Sequence, residues 1–260
     1  MIVREVKNGV HYYRSTLLQS PHAFSTRLGG CSTLPHLAFM NLGENRGDSP
    51  ETVKENYRLF CQATGLSQNV VSACQIHSDL VQIVDKLPEN KPEYDGFVTK
   101  AKDLTLAVKV ADCLPILMED CEAGAVAAVH AGWRGSAKKI VMRAIEKMEL
   151  LGAARGRIKA VIGPRIGACC FEVKEDFVKE YTALLGTFGE RFLVRKEGKI
   201  FCDLPMLNIE ILKSAGISPE NIEDSGLCTC CQPDLFFSHR ASKGQRGTMA
   251  GMIALPHRNG

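Results

Sequence analysis

Apolar residues along this chain fall into two rhythms. Short runs at 106–110, 115–118, 125–130, 158–162 and 249–255 are nearly continuous and rich in Val, Ile and Leu. Runs of that length predict strands covered on both faces. Between them lie stretches with the 3.6-residue spacing of helices. One helix is predicted after Gly47-Asp48-Ser49-Pro50-Glu51, running toward Gly65. Ser49 caps it with Pro50 at the first helical position, or Asp48 caps it with Glu51 three residues on. A second covers 136–151, with Ile140, Val141, Ala144, Ile145 and Met148 on one face and Gly152 after it. A third spans 174–185 and stops at Gly186. A fourth starts after Asp203 and ends before Gly216. Doubly covered strands with helices outside them predict a layered α/β or α+β domain. The strand order cannot be read from the sequence. With no repeat, low-complexity tract or Pro/Ser-rich linker, 1–260 is expected to be one domain.

Composition narrows the class. A 260-residue chain with 45% hydrophobic content can bury a substantial core. Charged residues make up 23% and the net charge is +3, without blocks of like charge. That balance predicts neither a nucleic-acid partner nor a membrane-surface protein. No stretch approaches the roughly 18 apolar residues of a membrane span, and the N-terminus lacks an apolar run behind a basic start. A cytoplasmic protein is expected. The cysteine count is eleven, which is odd, and argues with the missing export signal against a disulfide framework. Most of these cysteines read as small buried hydrophobes.

Three polar residues sit where apolar strands end. His77 follows Ala73-Cys74-Gln75-Ile76, Cys113 follows Val108 to Asp112, and His130 follows Val126-Ala127-Ala128-Val129. A strand end offers a rigid rim, where sites are built. Two imidazoles and a thiolate suit zinc, and three protein ligands leave a fourth position open. Taken by spacing alone, each also fits a hydrogen-bonded core residue, because no HExxH or CxxC pair joins them. Asp112, beside Cys113, is a candidate to hold a ligand in place. Cys74 and His239 are candidates for a fourth, closing ligand, which would make the site a binding module. Glycine-flanked arginines recur at Arg27, Arg46, Arg134, Arg165 and Arg240. Such arginines grip phosphate or carboxylate, or simply brace turns. Cys228-Thr229-Cys230-Cys231 and Cys169-Cys170 lack a partner pair at finger-like spacing and read as structural or incidental.

Several segments together resemble the YfiH/YlmD family. They are His-Ala-Phe-Ser-Thr-Arg-Leu-Gly-Gly at 22–30, Asn-Leu-Gly at 41–43, Gln-Ile-His at 75–77 and Asp-Gly-Phe at 95–97. They continue with Ala-Asp-Cys-Leu-Pro at 111–115, His-Ala-Gly-Trp-Arg-Gly at 130–135, Ile-Gly-Pro at 162–164 and Phe-Phe-Ser-His-Arg at 236–240. Members of that family carry a laccase domain and include bacterial purine nucleoside phosphorylases. Others are described as polyphenol oxidases or peptidoglycan-editing factors. The resemblance implies an α+β fold, layered α/β/β/α, similar to the catalytic domain of the cytotoxic necrotizing factors. It implies a metal site at His77, Cys113 and His130, holding zinc, with copper as an alternative. It implies phosphorolysis of adenosine, inosine and methylthioadenosine, and deamination of adenosine. Purine nucleosides and phosphate would be the partners, with no protein partner predicted. Arg27, Arg46, Arg134 and Arg240 are the candidate substrate contacts. Phe97 or Trp133 is a candidate purine stacker, with core packing the favoured role for Phe97. Two other chemistries remain open: a cysteine hydrolase with Cys113 as nucleophile and His77 or His130 as base, and a single-copper oxidase. A multicopper site needs on the order of ten histidines, and this chain has seven.

Overall fold

The computed structural model describes residues 1–256. In chain order its strands are β1 (Ile2–Lys7), β2 (Val10–Ser15), β3 (His22–Ser25), β4 (Val70–Val71), β5 (Val81–Ile83), β6 (Gly96–Thr99), β7 (Thr105–Val110), β8 (Leu114–Asp120), β9 (Ala125–Ala131), β10 (Lys159–Ile162), β11 (Glu172–Val173), β12 (Leu193–Lys196), β13 (Lys199–Cys202), β14 (Ile222–Asp224) and β15 (Met249–Ala254). The helices are α1 (Pro50–Thr64), α2 (Trp133–Ala137), α3 (Ile140–Leu150), α4 (Glu175–Glu190) and α5 (Leu204–Ser214).

Two six-stranded sheets are stacked. One runs β1-β2-β3-β15-β7-β4 and the other β14-β10-β8-β9-β6-β5, while β11-β13-β12 forms a small third sheet. Three hydrophobic clusters fill three interfaces. Val10, Ala23, Met252 and Phe60 join the first sheet to α1. Phe24, Val108, Leu117 and Ile253 lie between the sheets. Ile116, Val129, Ile145 and Leu207 join the second sheet to the helices on its far side. The order is therefore α/β/β/α, the fold that the resemblance implies. The continuous apolar runs now have their reason. In β9, Ala125, Ala127 and Val129 face the helices, and Val126 and Ala128 face the other sheet. Alternation puts both sets under cover, so neither face is polar.

The α1 boundaries match the expected signals. Ser49 accepts a hydrogen bond from Thr52 N at 3.2 Å, and Gly65 adopts a left-handed φ of 74°. Asp48 instead accepts bonds from Ser32 Oγ and Asn41 Nδ2. The helix expected over 136–151 is two helices, because Lys139 takes a left-handed φ of 61° between them. Gly186 bends α4 rather than ending it, and the chain turns on to Glu190. Phe188 and Phe192 pack against the core there, which holds the extra turn.

Candidate metal centre

The two sheets present one common rim. In the register of β8 and β9, Pro115 faces His130. In that of β6 and β9, Gly96 faces Val129, so Asp95 and His130 come together one step further along. His130 continues the series Val126, Ala128 and points between the sheets. Cys113 enters from the turn ahead of β8. His77 arrives on the loop between β4 and β5. One donor atom from each of His77, Cys113 and His130 lies within 4.8 Å of the others. The imidazole of His77 crosses that of His130 at 83°, with ring centroids 4.9 Å apart. His77 Nε2 is 3.9 Å from Cys113 Sγ. Gly132 makes the close approach feasible: a Cβ there would lie 2.9 Å from His77 Cδ2 and 3.5 Å from Cys113 Sγ.

Asp95 organises the group. It is fully buried. Its Oδ1 accepts from His130 Nδ1 at 2.7 Å and from His77 N at 3.1 Å. Its Oδ2 accepts from Ser78 N, Ser78 Oγ and Ile76 N at 2.6, 2.8 and 3.2 Å. One carboxylate thus fixes the ring of His130 and the backbone of the His77 loop, where His77 holds a φ of 58°. Burial raises the Asp95 carboxyl, but the bonds from His130 and Ser78 outweigh it and leave it below its usual range. Gln75 supports the same loop by bonding both Lys109 N and Lys109 O at 2.7 Å, as a neighbouring strand would.

Asp112 acts on the backbone of the segment that carries Cys113. Its carboxylate accepts from Thr229 Oγ1 at 2.6 Å and from Arg240 N at 2.7 Å, and so braces the turn from β7 to β8. Asp95 does the corresponding work for His130 and the His77 loop, across a sheet register that the sequence does not reveal.

The donor chemistry suits a metal. The ionised Asp95 fixes the His130 proton on Nδ1, leaving the Nε2 lone pair for an ion. Burial raises the Cys113 thiol, yet the charge of His130 and bonds from both histidines bring it down to about 6. Burial lowers His130, but Cys113 and Asp95 raise it to about 9. A thiolate and an imidazolium coexist there near neutral pH when no ion is present. Cys74 and His239 line neighbouring cavities and stand outside the three-donor group, so among the described residues no fourth protein donor joins it.

Two cavities meet at this centre. One, of about 310 Å³, is mainly cationic: Arg46, Lys109 and Arg246 line it beside His77 and Cys113, while Lys91 is paired with Glu44. Arg246 Nη1 bonds Gly247 O and Thr248 Oγ1, while its Nε is buried without a partner. Burial lowers its pKa, and the charge of Arg46 lowers it further. Such crowding of positive charge is relieved by an anion. The second cavity, of about 600 Å³, is walled by Trp133, Arg134, Phe171, His239 and Arg240.

The sequence candidates separate accordingly. Arg46, Arg134 and Arg240 reach a cavity. Arg134 is exposed, pairs with Glu180 at 2.9 Å and lies over Trp133 at 4.3 Å. With Phe177 on the same indole at 4.7 Å, little of the Trp133 face is left for a purine. Arg27 lines neither cavity: it donates to Ala38 O and Pro233 O and covers Phe237. Arg165 is buried and paired with Asp224. Phe97 lies in the inter-sheet core. Lys109 and Arg246 were missed, although Arg246 carries the same mark as the others, a glycine on each side in Gly244-Gln245-Arg246-Gly247.

The fold and this centre define a layered α+β protein with a His/Cys group able to hold a metal at the rim of its paired sheets. The chain belongs to the multi-copper polyphenol oxidoreductase laccase family, whose profile matches residues 21–256. A purine nucleoside phosphorylase of Deinococcus radiodurans is 37% identical over 253 residues, covering 97% of this chain and 96% of that protein. The purine nucleoside phosphorylase YlmD of Bacillus subtilis is 32% identical over 243 residues, covering 89% and 87%. Among solved structures, YlmD from Geobacillus stearothermophilus superposes with a TM-score of 0.88 at 27% identity, covering 99% of this chain and all of that one. The Bacillus licheniformis protein YfiH gives 0.86 at 30% identity, covering 96% and 97%. No helix among the described residues is long and apolar enough to cross a membrane.

Proposed function

We propose that this chain is a zinc-dependent purine nucleoside phosphorylase for adenosine, inosine and methylthioadenosine, with adenosine deamination at the same centre. The observation that carries it is the convergence of His77, Cys113 and His130 where a cationic cavity meets an aromatic one. The relatives named purine nucleoside phosphorylase support the same reading. In phosphorolysis a phosphate oxygen bonds to C1′ as the C1′–N9 bond breaks. The bonding pair leaves with the purine, which takes up a proton. Arg46, Lys109 and Arg246 seat the phosphate, because their mutual repulsion is relieved by an anion. Phe171 and Arg240 border the space for the nucleoside. Asp95 holds the proton on His130 Nδ1 and keeps the ring aimed at the centre. Zinc held by the three donors supplies Lewis acidity for charge on the departing base, and for water in deamination. A single copper ion fits the same donors, and elemental analysis distinguishes the two.

The test is His77→Ala, Cys113→Ala and His130→Ala, assayed for bound metal and for phosphate-dependent release of adenine or hypoxanthine. Each variant should lose the ion of this centre and turnover together. Full turnover with that ion gone overturns the proposal.

A second reading rests on the lowered Cys113 thiol beside His130. A metal-free thiolate there would be the nucleophile of a cysteine hydrolase that edits a peptidoglycan precursor. Alkylation of Cys113 in zinc-loaded protein, with loss of hydrolysis, would favour it, since a metal-bound thiolate is protected.

A further inference from the structure

The cysteine runs that are separate in sequence meet in the fold. Cys169 and Cys170 lie in the loop between β10 and β11, and Cys228 and Cys231 in the turn after β14. Backbone bonds hold the two segments together, from Arg165 N to Leu227 O at 3.1 Å and from Thr229 N to Arg165 O at 3.0 Å. The four sulfurs all lie within 4.8 Å of one another. Cys231 Sγ is 3.5 Å from Cys169 Sγ and 3.3 Å from Cys170 Sγ. Gly167 N donates to Cys228 Sγ at 3.3 Å. A Cβ on Gly167 would stand 3.2 Å from Cys169 Sγ and 3.7 Å from Cys228 Sγ, so the glycine gives the sulfurs their room.

Disulfides join sulfurs one to one. Here Cys231 is shared between two neighbours and Cys228 completes the group, which is the pattern of donors around a central ion. A tetrahedral ion with Zn–S bonds of about 2.3 Å spaces its sulfurs roughly 3.8 Å apart. Finger-like spacing is lacking in the sequence because the partner pair comes from a distant loop.

We propose that Cys169, Cys170, Cys228 and Cys231 form a second, structural metal site that takes zinc. Four protein thiolates close the coordination sphere, so this site braces the fold and offers no position to a substrate. It braces a wall of the larger cavity. Cys170 O accepts from Arg240 Nη1 at 3.0 Å, and Arg240 lies over Phe171 at 5.6 Å. Thr229, between the ligands, holds Asp112 and with it the turn that carries Cys113. The assignment does not depend on the reaction proposed above.

Protein purified under reductant should carry about two metal equivalents per chain. The double variant Cys169→Ser/Cys231→Ser, at the two exposed ligands, should carry one. His77→Ala/His130→Ala should also carry one, and its cobalt-substituted form should show intense thiolate-to-cobalt charge-transfer absorption. A metal-free His77→Ala/His130→Ala protein overturns the proposal. A measurement on the unaltered chain guards against a misfolded variant. Peptides bearing the four cysteines should be alkylated under native conditions only after chelation, and equal labelling before and after overturns the proposal. Disulfides found among the four in metal-free protein overturn it as well.

Discussion

Replacing Asp95 with Asn leaves the shape of the side chain and removes one acceptor. The carboxylate now serves five donors, three on Oδ2 and two on Oδ1. An amide has one oxygen to offer, so its NH2 must face one of these groups. Turned toward Oδ1's partners, it confronts His130 Nδ1 and the His77 amide. His130 can then accept only by moving its proton to Nε2, which removes that nitrogen from the metal centre. Turned the other way, it confronts the amides of Ile76 and Ser78. A buried donor left unpaired costs about 1–3 kcal/mol, so either orientation should destabilise the metal-free protein by roughly 2–5 kcal/mol. At about 2–4 °C per kcal/mol for a chain of this size, Tm should fall by roughly 5–15 °C. Metal affinity should fall about 10- to 100-fold. Because the Asp95 carboxyl titrates below its usual range, its contribution is complete at neutral pH and is lost only as pH falls through that lowered value. Thermal unfolding of stripped protein at pH 7 and competition with a chelator therefore read the whole effect. Unchanged affinity together with a Tm within about 2 °C of the parent would refute the reasoning.

Three other outcomes are expected. In metal-stripped protein the Cys113 thiolate persists down to about 6, so labelling by iodoacetamide should fall as pH drops through that value; a midpoint near the ordinary thiol value would refute the pairing with His130. Arg246→Ala should raise KM for phosphate about 10- to 100-fold, the worth of bonds to a charged group, whereas Arg27→Ala should lower stability by about 1–2 kcal/mol and leave that KM within about twofold; steady-state kinetics and urea unfolding would expose the reverse. Gly132→Ala should keep the fold, since Gly132 has a φ of −66° that any residue adopts, and should weaken metal binding at least about tenfold because the added methyl meets the His77 ring; unaltered affinity by chelator competition would refute the steric argument.

Much of the core was legible because its strands are apolar on both faces, a pattern that few other elements produce. β1 and β2 were not, since IVREVK and VHYYRS alternate with charges and β1 is largely exposed. The break between α2 and α3 falls on a pair of lysines, with no glycine or proline to mark it. The three metal candidates could be named because polar residues stand out at the ends of apolar runs. Asp95 could be quoted as part of a motif but given no task, because its partner His130 lies 35 positions away across a strand pairing. The thiol cluster was hidden for the same reason.

Sheet register is what converts these separate residues into a site. Apart from His130, β9 is apolar on both faces, so its apolar residues do not say which face meets the helices. Packing decides this: Ala125, Ala127, Val129 and Ala131 take the helix side, and His130 is left with Val126 and Ala128 on the inter-sheet side. A slip of one residue would turn the imidazole into the helix-side core that contains Ile140 and Ile145. The observed register instead sets it beside Asp95 on one neighbouring strand and the Cys113 turn on the other. A buried imidazole and carboxylate at 2.7 Å are stable only as a pair. The chemistry of the rim therefore also selects the pairing of β6, β9 and β8, and the contacts that hold the candidate centre help to specify the fold around it.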